Sequence, residues 1–216
     1  DSGDLGLKIN LSITQAKPVW SDFNNDGLPD LLVQGINHYN EPYNGMRIYE
    51  NNPGSYFLEL QSPFTGMYMD GEPCMDFNKD GLVDIVASEF RNSNYYELCI
   101  YLNMGNYLFD KIETGLPGLS HQNRSGKIAW MDYNSDGYPD LVMAGQHTGS
   151  NGEGISRIYK NVNGQSLVQV NTDLPPLYQD VDLHIGDYDN DGMTDILLYG
   201  NGRITDREYF SQTNVY

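Results

Sequence analysis

The chain has 216 residues, a formal charge of −18, 39% hydrophobic and 19% charged residues, with 23 Gly and 17 Tyr. That length buries a substantial core as one domain or a small pair, and the Gly, Tyr and Asn content belongs to a turn-rich chain leaning towards β structure. The acidity argues against nucleic acid as a partner, no stretch reaches the roughly 18 apolar residues of a membrane span, and two cysteines are too few for a disulfide scaffold.

The chain opens without an initiating Met or a signal pattern, as expected of a processed product or a piece of a larger polypeptide. A strand-like stretch, GLKINLSI, comes first. KPVWS then leads into DFNNDGLPD (Asp22 to Asp30), an aliphatic run DLLVQG, a variable polar segment, an alternating stretch MRIYEN, and a Gly-led turn into YFLEL. The order then repeats. The second round reads GEPCM, DFNKDGLVD (Asp76 to Asp84), DIVASE, LCIYLN and YLFDKI. The third reads KIAWM, DYNSDGYPD (Asp132 to Asp140), DLVMAG, SRIYKN and SLVQV. The fourth reads DLHIG, DYDNDGMTD (Asp187 to Asp195), DILLYG and DREYFS. The first aspartates are spaced by 54, 56 and 55 residues. The repeated object is therefore a whole structural unit, with boundaries near 3–53, 54–104, 105–163 and 164–216 of a single domain.

The apolar runs are four to six residues long, rich in Val, Ile, Leu and Tyr and bounded by Gly, Asn and Asp, which favours strands over helices. Three consecutive apolar residues, as in Leu31, Leu32 and Val33, predict a second strand buried on both faces. Four short antiparallel strands per unit describe an all-β fold, a β-propeller of four-stranded antiparallel blades in four repeat units. GLKINLSI matches a fourth strand, and the chain ends where a fourth strand would next begin. The ring is thus closed and four-bladed, or part of a larger propeller cut at a unit boundary. Cys74 shares the position of Trp20, Trp130 and Ile185 and is expected in the core, as are both tryptophans. Cys99 aligns with Arg47, Arg157 and Arg207 and is expected on the wetter face. First and third strands lie about 9–10 Å apart, beyond disulfide reach, so two free thiols are expected.

The loops concentrate 13 of the 30 acidic residues. Calcium takes six to eight oxygen ligands at about 2.3–2.6 Å, and alternate residues of a tight loop can turn side chains inward at positions 1, 3, 5 and 9. The candidate ligands are Asp22, Asn24, Asp26 and Asp30; Asp76, Asn78, Asp80 and Asp84; Asp132, Asn134, Asp136 and Asp140; and Asp187, Asp189, Asp191 and Asp195. Position 6 is always Gly, as a chain reversal with unusual φ needs. Position 7 (Leu28, Leu82, Tyr138, Met193) would offer a backbone carbonyl. All-oxygen donors without His or Cys exclude a zinc or copper reading. An EF-hand requires Glu at position 12, where this chain has Val33, Ala87, Met143 and Leu198. Four structural calcium sites are expected, the fourth loop, with four aspartates, being the tightest.

The D-x-[DN]-x-D-G-x-x-D loop between two strands, repeated at this spacing over essentially the whole chain, resembles the FG-GAP (also VCBS) repeats of integrin α-subunit-like propellers. The Phe-Gly and Gly-Ala-Pro signatures are not evident, which places the chain nearer the bacterial and lectin-like branch. The resemblance implies extracellular, calcium-stabilised modules for adhesion or carbohydrate binding, sometimes attached to polysaccharide-degrading enzymes.

Because strands alternate in direction, the metal loops share one end of each blade with the turns between third and fourth strands. The other end carries the variable connections 36–44, 90–96, 146–154, 62–71 and 115–125, and variation points to that end as the partner surface. Its candidates are His38, Tyr39, Tyr43, Tyr68, Arg91, Tyr95, Tyr96, His121, Arg124 and His147, aromatic and donor groups suited to a glycan or an extracellular protein. There is no G-x-S-x-G motif and no zinc pattern. Glu41, Glu72, Glu89, Glu97 and Glu153 are acidic candidates that spacing does not pair, so a binding module is favoured. The propeller portion of a polysaccharide-active enzyme, a lyase or glycosidase, is the alternative. Loop sites of this kind work at about 10⁻⁴ to 10⁻³ M calcium, which places the chain outside cells.

Overall fold

A computed structural model describes residues 14–36, 45–53, 57–60, 64, 66–68, 71–92, 95–119, 126–147, 153–205 and 208–215. Among the described residues the regular elements are sixteen strands. The first sheet has the order β1 (Thr14–Ser21), β2 (Asp30–Ile36), β3 (Gly45–Glu50) and β4 (Leu58–Glu59). In the second, β5 (Met67–Tyr68) and β6 (Cys74–Met75) both pair with β7 (Asp84–Asn92), followed by β8 (Tyr95–Asn103) and β9 (Phe109–Pro117). The third is β10 (Gly126–Met131), β11 (Asp140–Gln146), β12 (Gly154–Val162) and β13 (Ser166–Val170). The fourth is β14 (Gln179–Gly186), β15 (Asp195–Thr205) and β16 (Glu208–Val215). Every pairing within these sheets is antiparallel. Among the described residues no helix is long and apolar enough to cross a membrane.

The second strands explain how the sheets assemble. Leu31, Leu32 and Val33 are all buried, as are Leu141, Val142, Met143 and Ala144, so both faces of these strands meet protein. One cluster joins the first sheet to the second through Phe23, Leu32, Met46, Ile85 and Cys99. A second joins the second to the third through Phe77, Val86, Leu98, Trp130 and Tyr159. A third joins Ala129, Val142 and Ile158 to Val181, Leu183 and Ile196. The sheets stack face to face in chain order. They fan out from an edge where first strands adjoin: β10 packs against β14, and Gly71, just before β6, bridges to Ile128.

Four expectations are corrected. Cys99 is fully buried because it lies in the core shared by the first and second sheets, where its thiol is also 3.4 Å from Glu89 Oε2 and 3.6 Å from Arg91 Nη2. Burial pushes the thiols of Cys99 and Cys74 up to about 12; both cysteines are free, as expected. Trp20 is 56% exposed, whereas the equivalent Trp130 is 7% exposed and packed on the preceding sheet.

The connection at 90–96 is a tight hairpin with Asn92 opposite Tyr95, not a long loop. The third strand of the fourth sheet is not DREYFS in the position of MRIYEN. Val215 stands opposite Leu197 as Ile48 stands opposite Leu32, and Asn214, not Arg207, takes the place of Arg47. The tight closure at Thr205 and Glu208 lengthens both strands of that hairpin, so the chain ends within a third strand. GLKINLSI lies outside the described residues, and among those described no strand joins the first and fourth sheets.

Candidate functional site

Each D-x-[DN]-x-D-G-x-x-D loop connects the first strand of a sheet to the second, and the four have one backbone geometry. Position 4 is left-handed (Asn25 φ 60°, Lys79 63°, Ser135 57°, Asn190 60°), and so is the position 6 glycine (Gly27 87°, Gly81 88°, Gly137 85°, Gly192 85°). A side chain at position 6 would be strained for conformation alone. The position 1 carboxylate accepts from the amides of positions 5 and 6, for Asp22 at 3.1 and 2.8 Å and for Asp187 at 3.1 and 2.9 Å. Position 5 accepts from the position 7 amide at 2.7–2.9 Å in all four loops. Asp76, Asp80, Asp132 and Asp136 follow the same pattern.

At position 3, Asn24, Asn78 and Asn134 each donate to the position 5 carboxylate at 2.9 Å. Asp189 has no proton to give, so repulsion is greatest in the fourth loop. There, carboxylate oxygens of Asp187, Asp189 and Asp195 lie within 4.8 Å of one another. Two oxygens bound to one calcium at about 2.3–2.6 Å can be up to about 5 Å apart. That donor set is compatible with a single hard cation.

The position 9 aspartates have a second duty. Asp30, Asp84 and Asp140 are buried, and in each one oxygen accepts from the position 2 amide, at 3.0, 2.8 and 2.9 Å. The other accepts from the amide of Asn51, Asn103 or Asn161 at the end of the third strand, at 2.9, 2.7 and 2.7 Å. Burial, reinforced by Asp80 and Asp76, pushes the Asp84 carboxyl up to about 6. Asp140 is raised for the same reasons, with Asp136 and Asp132 as its neighbours.

Those asparagines escaped the sequence reading. Asn103 donates to Phe23 O at 2.7 Å and Asn161 to Phe77 O at 2.9 Å, each reaching across to the loop of the preceding sheet. Their own carbonyls hold the next turn through Gly105 N and Gly164 N. Tyr107, in the same turn as Gly105, donates to Asp30 Oδ2 at 3.1 Å. The first and second loops are thus clamped by the sheet that follows. The signal was present in IYEN, IYLN and IYKN, an Asn two residues after Tyr in three rounds.

Gly164 marks how closely the clamp sits. A Cβ there would lie 2.5 Å from Asn78 Cα, at a φ of +71°. Gly164→Ala is expected to cost about 2–4 kcal/mol from strain and overpacking. Gly105→Ala, in open space at a φ of +81°, should cost about 1 kcal/mol. Chemical denaturation of the two variants measures the difference, and equal costs would mean that the second loop yields freely.

At the loop end, a cavity of about 470 Å³ opens between the third and fourth sheets. Met131, Ile158, Leu174 and Ile196 give it apolar walls, and Asp132, Tyr133, Asn171, Thr172, Asp173 and Thr194 add polar groups. At the far end of the second sheet, Tyr68 and Phe90 flank Tyr96 with ring centroids 5.6 and 5.4 Å away. Tyr96 is buried and Phe90 is 47% exposed. Arg91 contacts Glu97 at 2.8 Å, Glu113 at 2.9 Å and Glu89 at 3.4 Å. Tyr95 is half-buried beside this cluster, its hydroxyl raised by burial and by Glu97. His147 is half-buried and its backbone bridges Leu119. His38, Tyr39, Tyr43, His121 and Arg124 lie outside the described residues.

No curated protein matches this sequence. Among solved structures, a lectin of Agrocybe aegerita, described by its specific recognition of non-reducing terminal N-acetylglucosamine, is similar in fold, with a TM-score of 0.54 and 15% identity over 93% of this chain. The chain covers 52% of that lectin, and at this identity the likeness speaks to fold alone. A family model described as FG-GAP-like repeat matches residues 76–143 and 132–198. Each match starts on the first aspartate of one loop and ends in the second strand beyond the next. With these overlapping matches covering more than half of its length, the chain belongs to the FG-GAP-like repeat family.

Proposed function

We propose that this chain is a calcium-stabilised, extracellular binding module whose sheets are blades of a propeller, and that its partner is a glycan. The observation that carries the glycan reading is the cavity between the third and fourth sheets. Its volume of about 470 Å³ falls within the roughly 300–1,000 Å³ of small-ligand sites. Apolar walls suit the C–H faces of a sugar, and Asn171, Thr172 and Asp173 supply hydrogen-bonding groups for its hydroxyls. The fold likeness to a lectin supports this reading. The cavity lies at the loop end, opposite the surface that loop variability points to.

Calcium supports the site indirectly. Asp132, Tyr133 and Ser135 belong to the third loop and Gly192, Met193 and Thr194 to the fourth, so ions that fix both loops also fix the cavity walls. A glycan array probed in calcium and in chelator, with N-acetylglucosamine-terminated glycans included, tests the reading. Retention of a glycan class in calcium is expected, weakened at least tenfold by chelator, by Tyr133→Ala or by Asn171→Ala. No retained class, or retention indifferent to all three changes, overturns it. Release of cleaved product would support the polysaccharide-active alternative, for which Glu89 and Glu97, opposite each other in β7 and β8, are the carboxylates to replace.

A further inference from the structure

The cavity between the third and fourth sheets owes its room to two positions. At the junction before it, between the second and third sheets, position 4 of one loop meets position 7 of the next: Lys79 holds its ammonium over the ring of Tyr138, 5.1 Å from the centroid. The same two positions at the following junction are Ser135 and Met193, and both line the cavity. A base and a ring that meet across one junction are replaced by a hydroxyl and a thioether at the next. Lys79 is also the single base in the four loops, so the exchange removes positive charge together with volume.

What remains around the cavity has one sign of charge. Asp132 and Asp173 stand in its lining, and among the described lining residues there is no Lys, Arg or His. Asp173 is exposed and belongs to no metal loop, so no loop ion answers its charge. The two loops that flank the cavity carry three and four aspartates; even with a divalent ion in each, the third keeps one negative charge and the fourth two. Lys160, two residues beyond Ile158 in β12, lies outside the lining and is engaged by Asp136 Oδ2 at 3.2 Å. The floor gives an anion no shelter either. Met131, Ile158 and Ile196 are buried and apolar, and an unpaired charge set against such a surface loses hydration without return.

We propose that the cavity takes uncharged sugars and rejects those that carry a carboxylate or a sulfate. The proposal rests on reading the cavity as a glycan site, and it adds what that site is built against. Sugar hydroxyls find partners in Asn171, Thr172 and Asp173. A carboxylate accepts hydrogen bonds from hydroxyls and repels a second anion. Such a repulsive element discriminates without any contact made for the rejected group.

An array of matched pairs probed in calcium tests it: glucose with glucuronate, galactose with galacturonate, and N-acetylglucosamine with its 6-sulfate. In every retained pair the anionic member is expected to bind at least about tenfold more weakly than its neutral partner. The uronates are included also as amides, alike in shape but uncharged, which should bind with the neutral members. Asp173→Asn removes a charge from the rim. Ser135→Lys restores the base of the preceding junction, in a backbone conformation (φ 57°) close to the one Lys79 adopts at 63°. Each should shrink the ratio at least about threefold. An anionic sugar bound as tightly as its neutral partner, an amide rejected along with its acid, or a ratio that neither substitution moves overturns the proposal and leaves the glycan reading standing. No sugar retained, or retention that ignores Tyr133→Ala and Asn171→Ala, removes the glycan reading and this one with it.

Discussion

Chelation of divalent cations is expected to lower the melting temperature of this chain by about 10–20 °C. An ion that binds only the folded loops stabilises them by about 1.4 kcal/mol per site when present at tenfold its dissociation constant, the situation of millimolar calcium at sites of about 10⁻⁴ M. Four sites give about 5–6 kcal/mol, and in a domain of this size each kcal/mol moves the midpoint by about 2–4 °C. The effect is large because 13 of the 30 acids sit in these four short loops, so that removing the ions restores their mutual repulsion.

Differential scanning fluorimetry in calcium, in chelator, and in chelator with added sodium chloride checks this. Screening relieves repulsion between exposed carboxylates, yet it supplies no ligand shell, so sodium chloride should recover only a small part of the loss and calcium all of it. A midpoint indifferent to chelator would mean that the loops stand on their hydrogen bonds alone. The sites need not be equal. The fourth loop has the greatest negative charge but an exposed Tyr188, whereas the first and second have one Asn each in place of Asp and a clamp from the next sheet. Charge favours the fourth loop and preorganisation the first two.

The loops were legible in the sequence because each is a local object. Nine consecutive residues fix their own hydrogen bonds, and four copies expose the pattern; the left-handed glycines follow from the same local chemistry, whereas the second strand of the fourth sheet departs from the expected burial on both faces, with Leu197 and Tyr199 40% and 45% exposed. What escaped was set by neighbours. Trp20 and Trp130 are identical residues at equivalent positions, and only the presence of a preceding sheet buries the second. Cys99 aligns with arginines but is buried in the core that the second sheet shares with the first, with Glu89 and Arg91 also in contact with its thiol. The fourth-sheet register does not follow from the similarity of DREYFS to MRIYEN, because the tight hairpin between β15 and β16 displaces the third strand towards the end of the chain.

Asn161→Ala is expected to be the most damaging of the single substitutions, at about 3–5 kcal/mol. Asn161 is fully buried. Its amide serves Phe77 O at 2.9 Å and Pro139 O at 3.1 Å, and its carbonyl accepts from Gly164 N at 2.8 Å. Truncation leaves these buried groups without the amide, each at about 1–3 kcal/mol before relaxation, against a typical domain stability of roughly 5–15 kcal/mol. Asn51→Ala, which removes an exposed bond to Pro29 O, should cost about 1 kcal/mol. Asn161→Asp is no rescue, since it retains the acceptor, loses both donations and adds a buried carboxylate on the residue whose backbone N–H donates to buried Asp140 at 2.7 Å. Because Asn161 belongs to the third sheet while Phe77 belongs to the second loop, calcium affinity at the second loop should fall together with stability. Urea denaturation and calcium titration of the three variants decide it. A stability loss with unchanged calcium affinity would reduce the asparagine to packing, and a loss in both would make it the link through which each sheet holds the metal loop of the sheet before.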